Sequence, residues 1–290
     1  MCPSLVDKLD FELAVKQVIV DSNTDFIIDK LGIEILKEFK DNFIDHLKNK
    51  ITKFESKSAE YEPLPLEIIN VPKKDFTMRP GAVPEIIDRI YYQALCNAIA
   101  PAIEQNLTKK ENNVVFSYRL SNKKGDEYMF IEPGTAYNNF ISYQNSICEN
   151  NGFSYVLETD IADYFERIYH HNLINLLDGF GCDNQIVVAL SKLLRTWTEG
   201  ISYGIPQGMW PSDLLGNAYL HDLDVAMISD NYKYIRYVDD IRIFCDSELM
   251  AKKALMEISQ IIRPMGLNIQ PAKTYIHEKD FFCTRVVTNS

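Results

Sequence analysis

At 290 residues, 46% hydrophobic and 24% charged, the chain can bury one large or two modest cores and is too apolar to be disordered. A formal net charge of −11 excludes a uniformly basic nucleic-acid binder, so positive charge has to be confined to a groove or supplied by a basic partner. No apolar run reaches the ~20 residues of a membrane helix, the N-terminus lacks a signal-peptide pattern, and Cys2, Cys96, Cys148, Cys182, Cys245 and Cys283 form no CxxC pair. Membrane insertion and zinc therefore drop out, a reducing cytoplasm is the simplest setting, and the cysteines read as buried apolar groups.

In chain order, apolar residues at three- and four-residue intervals predict helices over 9–20, 25–31 and 34–54. Ile33, Leu36, Phe39, Phe43, Ile44, Leu47 and Ile51 fall on one stripe, as in a helical extension packed on a core. Pro63, Pro65 and Pro72 punctuate its end. Residues 85–104 predict a long helix ending near Asn106, with Pro101 as its kink or break. Residues 114–120 and 127–131 predict strands returning on each other around a turn at 121–126, followed by a helix over 135–150. Residues 153–157 predict a strand, 164–177 a helix-like stretch and 184–198 another helix. Gly204-Ile-Pro-Gln207-Gly208 predicts a rigid turn. Pro211, as a first-turn residue, or Ser212, as a cap, opens the next helix, on which Leu215, Tyr219 and Leu223 face inward. Residues 232–236 and 241–245 are β-patterned runs on either side of Tyr237-Val238-Asp239-Asp240.

Adjacent aspartates on a hairpin tip repel each other and cost stability unless a cation neutralises them. Taken alone, Asp239-Asp240 reads more often as a solvated acidic turn than as a metal site. Asp160 alters the balance, because it lies where a strand ends and a helix begins. Two-metal phosphoryl transfer needs carboxylates from separate elements to converge on cations about 3.5–4 Å apart. One carboxylate at a strand end and two on a neighbouring hairpin meet that need.

At this point the chain resembles a reverse transcriptase, in the branch that includes group II intron, retron and bacterial defence-associated enzymes. Asp160-Ile-x-x-x-Phe165 resembles the first palm motif, and the stretch from Pro206-Gln207-Gly208 through Ser212 and Asn217 to Leu220 resembles the nucleotide-contacting motif. Tyr237-Val-Asp-Asp240 resembles the signature box, and the stretch from Leu267 through Lys273 to Thr274 resembles the family segment on its C-terminal side. Upstream, the run from Met78-Arg79-Pro80 to Gln93-Ala-Leu95 resembles the fingers of the intron-type enzymes.

The resemblance implies an α+β right-hand polymerase, fingers and palm, with an antiparallel palm sheet backed by helices. It divides the chain into an N-terminal helical extension (1–70), fingers (71–152), palm (153–183), a connection (184–200) and a palm segment with a primer-grip-like end (201–290). It implies an RNA-directed DNA polymerase adding dNTPs to a primer 3′-hydroxyl on an RNA template. Mg²⁺, or Mn²⁺ in its place, would be held by Asp160, Asp239, the weaker Asp240 and the Ile161 carbonyl. Phe165 would be the aromatic gate that excludes a 2′-hydroxyl. Gln207 and Gly208 would touch the nucleotide, Lys73, Lys74 and Arg79 its phosphates, and Lys273 the leaving pyrophosphate, unless Lys273 is simply a salt-bridged surface group. Asp163 and Glu158 would be solvated or capping groups. Arg236 and Arg242 around the signature box, with Val115-Phe-Ser-Tyr-Arg119, look most like the antiphage-defence subgroup. The run 280–287 resembles the primer-grip strand region, and the chain stops soon after, without the helical thumb of family members. A partner subunit or a second copy would then supply that function. Two other functions remain open: a template-independent or protein-primed nucleotidyl transferase, and a non-catalytic polymerase-like scaffold.

Overall fold

The computed structural model describes residues 3–25, 28–55, 63–72, 78–108, 114–121, 127–149 and 152–289. Helix α1 (Phe11–Asp21) opens on Asp10, whose carboxylate accepts the Leu13 N–H, and α2 (Lys30–Glu38) opens in the same way on Asp29. The helix expected over 25–31 thus begins only at Lys30. The chain resets at Phe39 before α3 (Lys40–Glu55), so the single stripe is interrupted. Ile33, Leu36, Ile44, Leu47 and Ile51 are buried, whereas Phe39 is half exposed.

Strands β1 (Glu67–Pro72) and β2 (Met78–Val83) form an antiparallel hairpin with Val71 opposite Arg79. Helix α4 (Ile86–Thr108) runs through Pro101 without ending. Tyr92, Leu95, Ile99 and Ile103 are buried around it, and that packing outweighs the roughly 3 kcal/mol a helix-interior proline costs. Next come α5 (Pro133–Glu149), β3 (Tyr155–Thr159), α6 (Tyr164–Arg167) and α7 (His170–Gly179). The stretch expected over 164–177 is therefore two helices, broken where Ile168 turns extended. After them come α8 (Asn184–Trp197), α9 (Trp210–Tyr219), α10 (His221–Ser229), β4 (Lys233–Tyr237), β5 (Asp240–Cys245), α11 (Glu248–Ile262), β6 (Tyr275–Glu278) and α12 (Lys279–Asn289). Residues 280–287 are thus helical, not the strand that their likeness to a primer grip suggests. Residues 114–121 and 127–131 pair through a bridge between Leu120 and Phe130 rather than as regular strands.

The chain forms two compact units. The first comprises Met1–Asn106, Ser121–Met129 and Tyr169–Leu215, and the second Leu107–Leu120, Phe130–Ile168 and Gly216–Ser290. The first joins α1 to α3, the β1–β2 hairpin, most of α4, α7 and α8. The second is built on a four-stranded antiparallel sheet of order β4-β5-β3-β6. Side chains alternate across its strands. Val156, Ile235 and Phe244 point to one face, where Phe140 and Ile147 of α5 and Phe282 of α12 close a core. Helix α11 packs against β3, β5 and β6 through Ala251, Ala254, Ile258 and Ile262, on the opposite face. Among the described residues no helix is long and apolar enough to cross a membrane.

Cys148 on α5 and Cys283 on α12 are disulfide-bonded, with Cα atoms 5.9 Å apart and a sequence separation of 135. The expectation of isolated buried thiols fails for this pair, and with it the inference of a reducing compartment from cysteine spacing alone. Cys96 and Cys245 are buried and free, as expected. Removing the bridge, by dithiothreitol or by Cys283→Ser, should cost about 2–4 kcal/mol. That corresponds to a fall of roughly 3–7 °C in melting temperature for a chain of this size. Identical melting curves with and without reductant would show that the bridge does not form in solution.

Candidate active site

The second unit gathers Asp160, Asp239 and Asp240 at one end of its sheet. Strand β3 ends at Thr159 and delivers Asp160, while the β4–β5 turn delivers the other two. Residues 268–274 are stitched alongside. The Gln270 N–H donates to the Asp160 carbonyl at 2.8 Å, Ala162 N–H donates to the Asn268 carbonyl, and the Thr159 and Thr274 hydroxyls meet at 2.8 Å. Ile161 faces Ile269 in this bridge, whose hydrogen bonds use its neighbours and leave the Ile161 carbonyl aimed away from it.

The carboxylates feel each other. Burial pushes the Asp239 carboxyl up to about 6, and the charge of Asp160 beside it adds to the push. Asp240 is also raised, by burial first, with Arg242 pulling the other way. Two internal cations offset the crowding. Lys273 Nζ donates to Asp160 Oδ2 at 2.7 Å, and Arg242 lies 3.2 Å from Asp240 Oδ2. The Asp160 contact holds the Lys273 ammonium above the ordinary lysine range, so Lys273 is charged here. Among the described residues no three His, Cys, Asp or Glu side chains close into a ready metal cage. Mg²⁺ does not require one, since it usually takes one or two carboxylates and completes its shell with water and phosphate oxygens. Hard, acceptor-only oxygens under mutual repulsion fit such a cation.

The turn between β4 and β5 is strained and held. Val238, β-branched, sits at φ +57°, which costs on the order of 1–3 kcal/mol. Its N–H donates to Ser117 Oγ at 2.7 Å, and its carbonyl accepts from Arg236 at 3.2 Å. Arg236 is fully buried. It forks onto both Asp224 oxygens at 2.7 Å and onto the side chain and carbonyl of Asn217 at 2.7 and 2.9 Å. The Tyr234 hydroxyl donates to the same Asp224, and Asn217 donates to the Ser117 carbonyl. Sequence reading singles out Arg236 and Asn217 but gives neither this role, and it misses Asp224 and Ser117. The available signal is Asp224 set between Leu223 and Val225 on α10.

Glu158 is nearly buried, not solvated. Arg242 Nε lies 3.3 Å and His277 Nε2 3.1 Å from its oxygens, and Arg285 also donates to it. Arg242 further donates to Gln144 and stacks 4.7 Å over the Phe140 ring. Asp163 is exposed at φ +49° and makes no capping bond, so it is a solvated group.

Phe165, in the first turn of α6, is buried against Gly216. A Cβ added to Gly216 would lie 2.8 Å from the Phe165 ring, so only glycine admits this approach. Tyr164 beside it donates its hydroxyl to the Gly216 carbonyl. Gln207, Gly208 and Arg79 belong to the first unit. Gly208 takes φ +95°, a conformation that suits glycine, and Arg79 sits on β2. Below this turn Ile205 and Met209 are buried, and the Gly204 carbonyl meets His170 Nε2 at 2.6 Å. Helix α9 starts at Trp210, with Pro211 in its first turn as expected. Ser212 does not cap it, because its hydroxyl meets the Tyr92 hydroxyl at 3.0 Å. Lys73 and Lys74 lie outside the described residues.

A model of the family described as reverse transcriptase (RNA-dependent DNA polymerase) matches residues 71–282. Protein YkfC of Escherichia coli K12 is 24% identical over 173 residues, 58% of this chain and 42% of YkfC. The group II intron-encoded protein LtrA of Lactococcus lactis subsp. cremoris is 26% identical over 209 residues, 70% of this chain and 32% of LtrA. The chain therefore spans less than half the length of these curated relatives. Among solved structures, apo telomerase from Candida tropicalis truncated from its C-terminal domain shares the fold. Its TM-score is 0.54 over 79% of this chain and 54% of that one, at 14% identity. With the matched region covering most of its length, the chain belongs to the reverse transcriptase family.

Proposed function

We propose that this chain is the fingers and palm of an RNA-directed DNA polymerase that extends a primer 3′-hydroxyl with dNTPs on an RNA template. The observation that carries this is the meeting of Asp160, Asp239 and Asp240 at one end of a single antiparallel sheet. Asp160 and Asp239 would hold the divalent ions, with Asp240 and the Ile161 carbonyl as weaker partners. Bound Mg²⁺, or Mn²⁺, lowers the pKa of the attacking hydroxyl and neutralises charge on the departing phosphates. Lys273, whose ammonium donates to Asp160 Oδ2 at 2.7 Å, would pass its proton to the leaving pyrophosphate. Phe165 blocks the space a ribose 2′-hydroxyl needs, and Gly216 lets its ring approach α9 closely. Gln207 and Gly208 meet the nucleotide, and Arg79 with Lys73 and Lys74 its phosphates. The arginines flanking the signature box support a role in bacterial antiphage defence.

The purified chain should incorporate dNTPs with Mg²⁺ or Mn²⁺ on a primed RNA, and Asp239→Asn should reduce incorporation to background. The same substitution should abolish protection when phage are plated on cells carrying the gene. Incorporation that survives Asp239→Asn would sink the polymerase assignment, and products that ignore the template sequence would select the untemplated transferase. Phe165→Val should raise rNTP use relative to dNTP by roughly tenfold or more, the scale of a steric clash relieved in a closed pocket. An unchanged ratio would remove Phe165 from the gate.

Because the Asp239 carboxyl titrates at about 6, protons and metal compete for it. The carboxylate needed for the cation is present above pH 6 and lost as the pH falls through it. Mg²⁺ affinity, measured calorimetrically, should therefore weaken by up to tenfold per pH unit below about 6, where binding displaces one proton. An affinity that stays flat from pH 7.5 to 5 would exclude Asp239 as a ligand.

A further inference from the structure

The N-terminal helices carry a polar cluster that the chemistry above does not use. Asp21, the last residue of α1, is 1% exposed. One of its oxygens accepts from Arg89 on α4 at 3.1 Å and from the Trp210 N–H at 3.2 Å. The other oxygen is buried with no hydrogen-bond partner. Arg89 also forks onto Asp25 at 2.5 and 2.9 Å. One turn away the same helices are joined again by Gln93 and Gln17, at 3.1 Å, and Tyr92 reaches Ser212. Arg89, Asp25, Gln207 and Gly208 line a common cavity of about 510 Å³.

Trp210 is the first residue of α9, and its N–H is one of the amides a helix cannot satisfy from within. A carboxylate there completes the hydrogen bond and answers the positive end of the helix. It is also the exit point of the turn that begins at Gly208, with Met209 buried between them. The first turn of α9 is therefore fixed at two points, Trp210 by Asp21 and Ser212 by Tyr92. Where Trp210 is held determines how Gln207 and Gly208 are presented.

We infer that Asp21, backed by Arg89, is a positioning residue for the Gln207-Gly208 turn, so that the N-terminal extension sets nucleotide affinity; this rests on the assignment of that turn to the nucleotide. Asp21 touches no substrate and acts through the Trp210 amide. Its unpartnered second oxygen makes a discriminating variant available. Asp21→Asn keeps one oxygen for both donors and gives up the charge and the oxygen that has no partner, whereas Asp21→Ala removes both oxygens.

The test combines hydrogen exchange with steady-state incorporation. In the unmodified chain the Trp210 amide should exchange at least tenfold more slowly than in an unstructured peptide, unlike an uncapped first-turn amide. Asp21→Ala should abolish that protection and raise the KM for dNTP about tenfold with kcat within twofold, and Asp21→Asn should restore both. Gln17→Ala, which cuts the neighbouring α1–α4 contact without touching α9, should lower the melting temperature and leave KM alone. An unprotected Trp210 amide in the unmodified chain overturns the inference even if Asp21→Ala does not fold. So does a KM that moves equally in Asp21→Ala and Gln17→Ala. Trp210 protection lost in Asp21→Ala in a chain that incorporates no nucleotide would uphold the clamp and reject the nucleotide assignment.

Discussion

Arg236 is the interaction on which the aspartate-bearing end of the sheet depends. A guanidinium with no exposure to water is tolerable only when its donors are met, and Asp224, Asn217 and the Val238 carbonyl meet them. Taking away one member of such a pair typically costs about 3–5 kcal/mol, because the other charge is left stranded. Here the cost would fall on the signature turn. The same guanidinium that neutralises Asp224 also holds the carbonyl of a valine kept at positive φ, directly before Asp239. Helix α10, the Asn217 end of α9 and the strand edge at Ser117 all converge on that one side chain. The aspartates are therefore aimed from beneath by buried polar bonds that are hard to break singly.

The local features of the site were legible because they are local. A β-patterned run, two aspartates and a second β run are read from neighbours in sequence, and the β4–β5 hairpin forms as that pattern requires. Asp160 at a strand end was legible for the same reason. What escaped were partners chosen by tertiary geometry. Glu158 looks like any strand-end glutamate until Arg242, His277 and Arg285 are brought around it from 84 to 127 residues away. Asp21 lies 189 residues from Trp210 and carries no local mark of its partner. The 280–287 run failed differently: its likeness to a strand region pointed one way, and the helix that buries its own Phe282 beside Phe140 decided the other. The Cys148–Cys283 bond belongs with the tertiary partners, since spacing cannot pair cysteines.

Charge reads differently once burial is known. Arg89, Arg236 and Arg242 are spent inside the protein on carboxylates. The surface of a chain already at −11 is thus poorer in arginine than composition suggests. Attraction for a polyanion has to come mainly from lysines concentrated at chosen places, with salt-sensitive, weak hold elsewhere. An acidic exterior is compatible with handling nucleic acid when contact is concentrated in this way.

The ion pair between Lys273 and Asp160 separates two events that metalloproteins often merge. In many small metal-binding domains the ion supplies the free energy of folding, and the apo chain is unfolded. Here a lysine resident in the same chain occupies the carboxylate beforehand, on a segment stitched to the strand by its own backbone bonds. The charge on Asp160 is thus balanced without an added ion, and any cation that displaces the lysine meets a segment already in place.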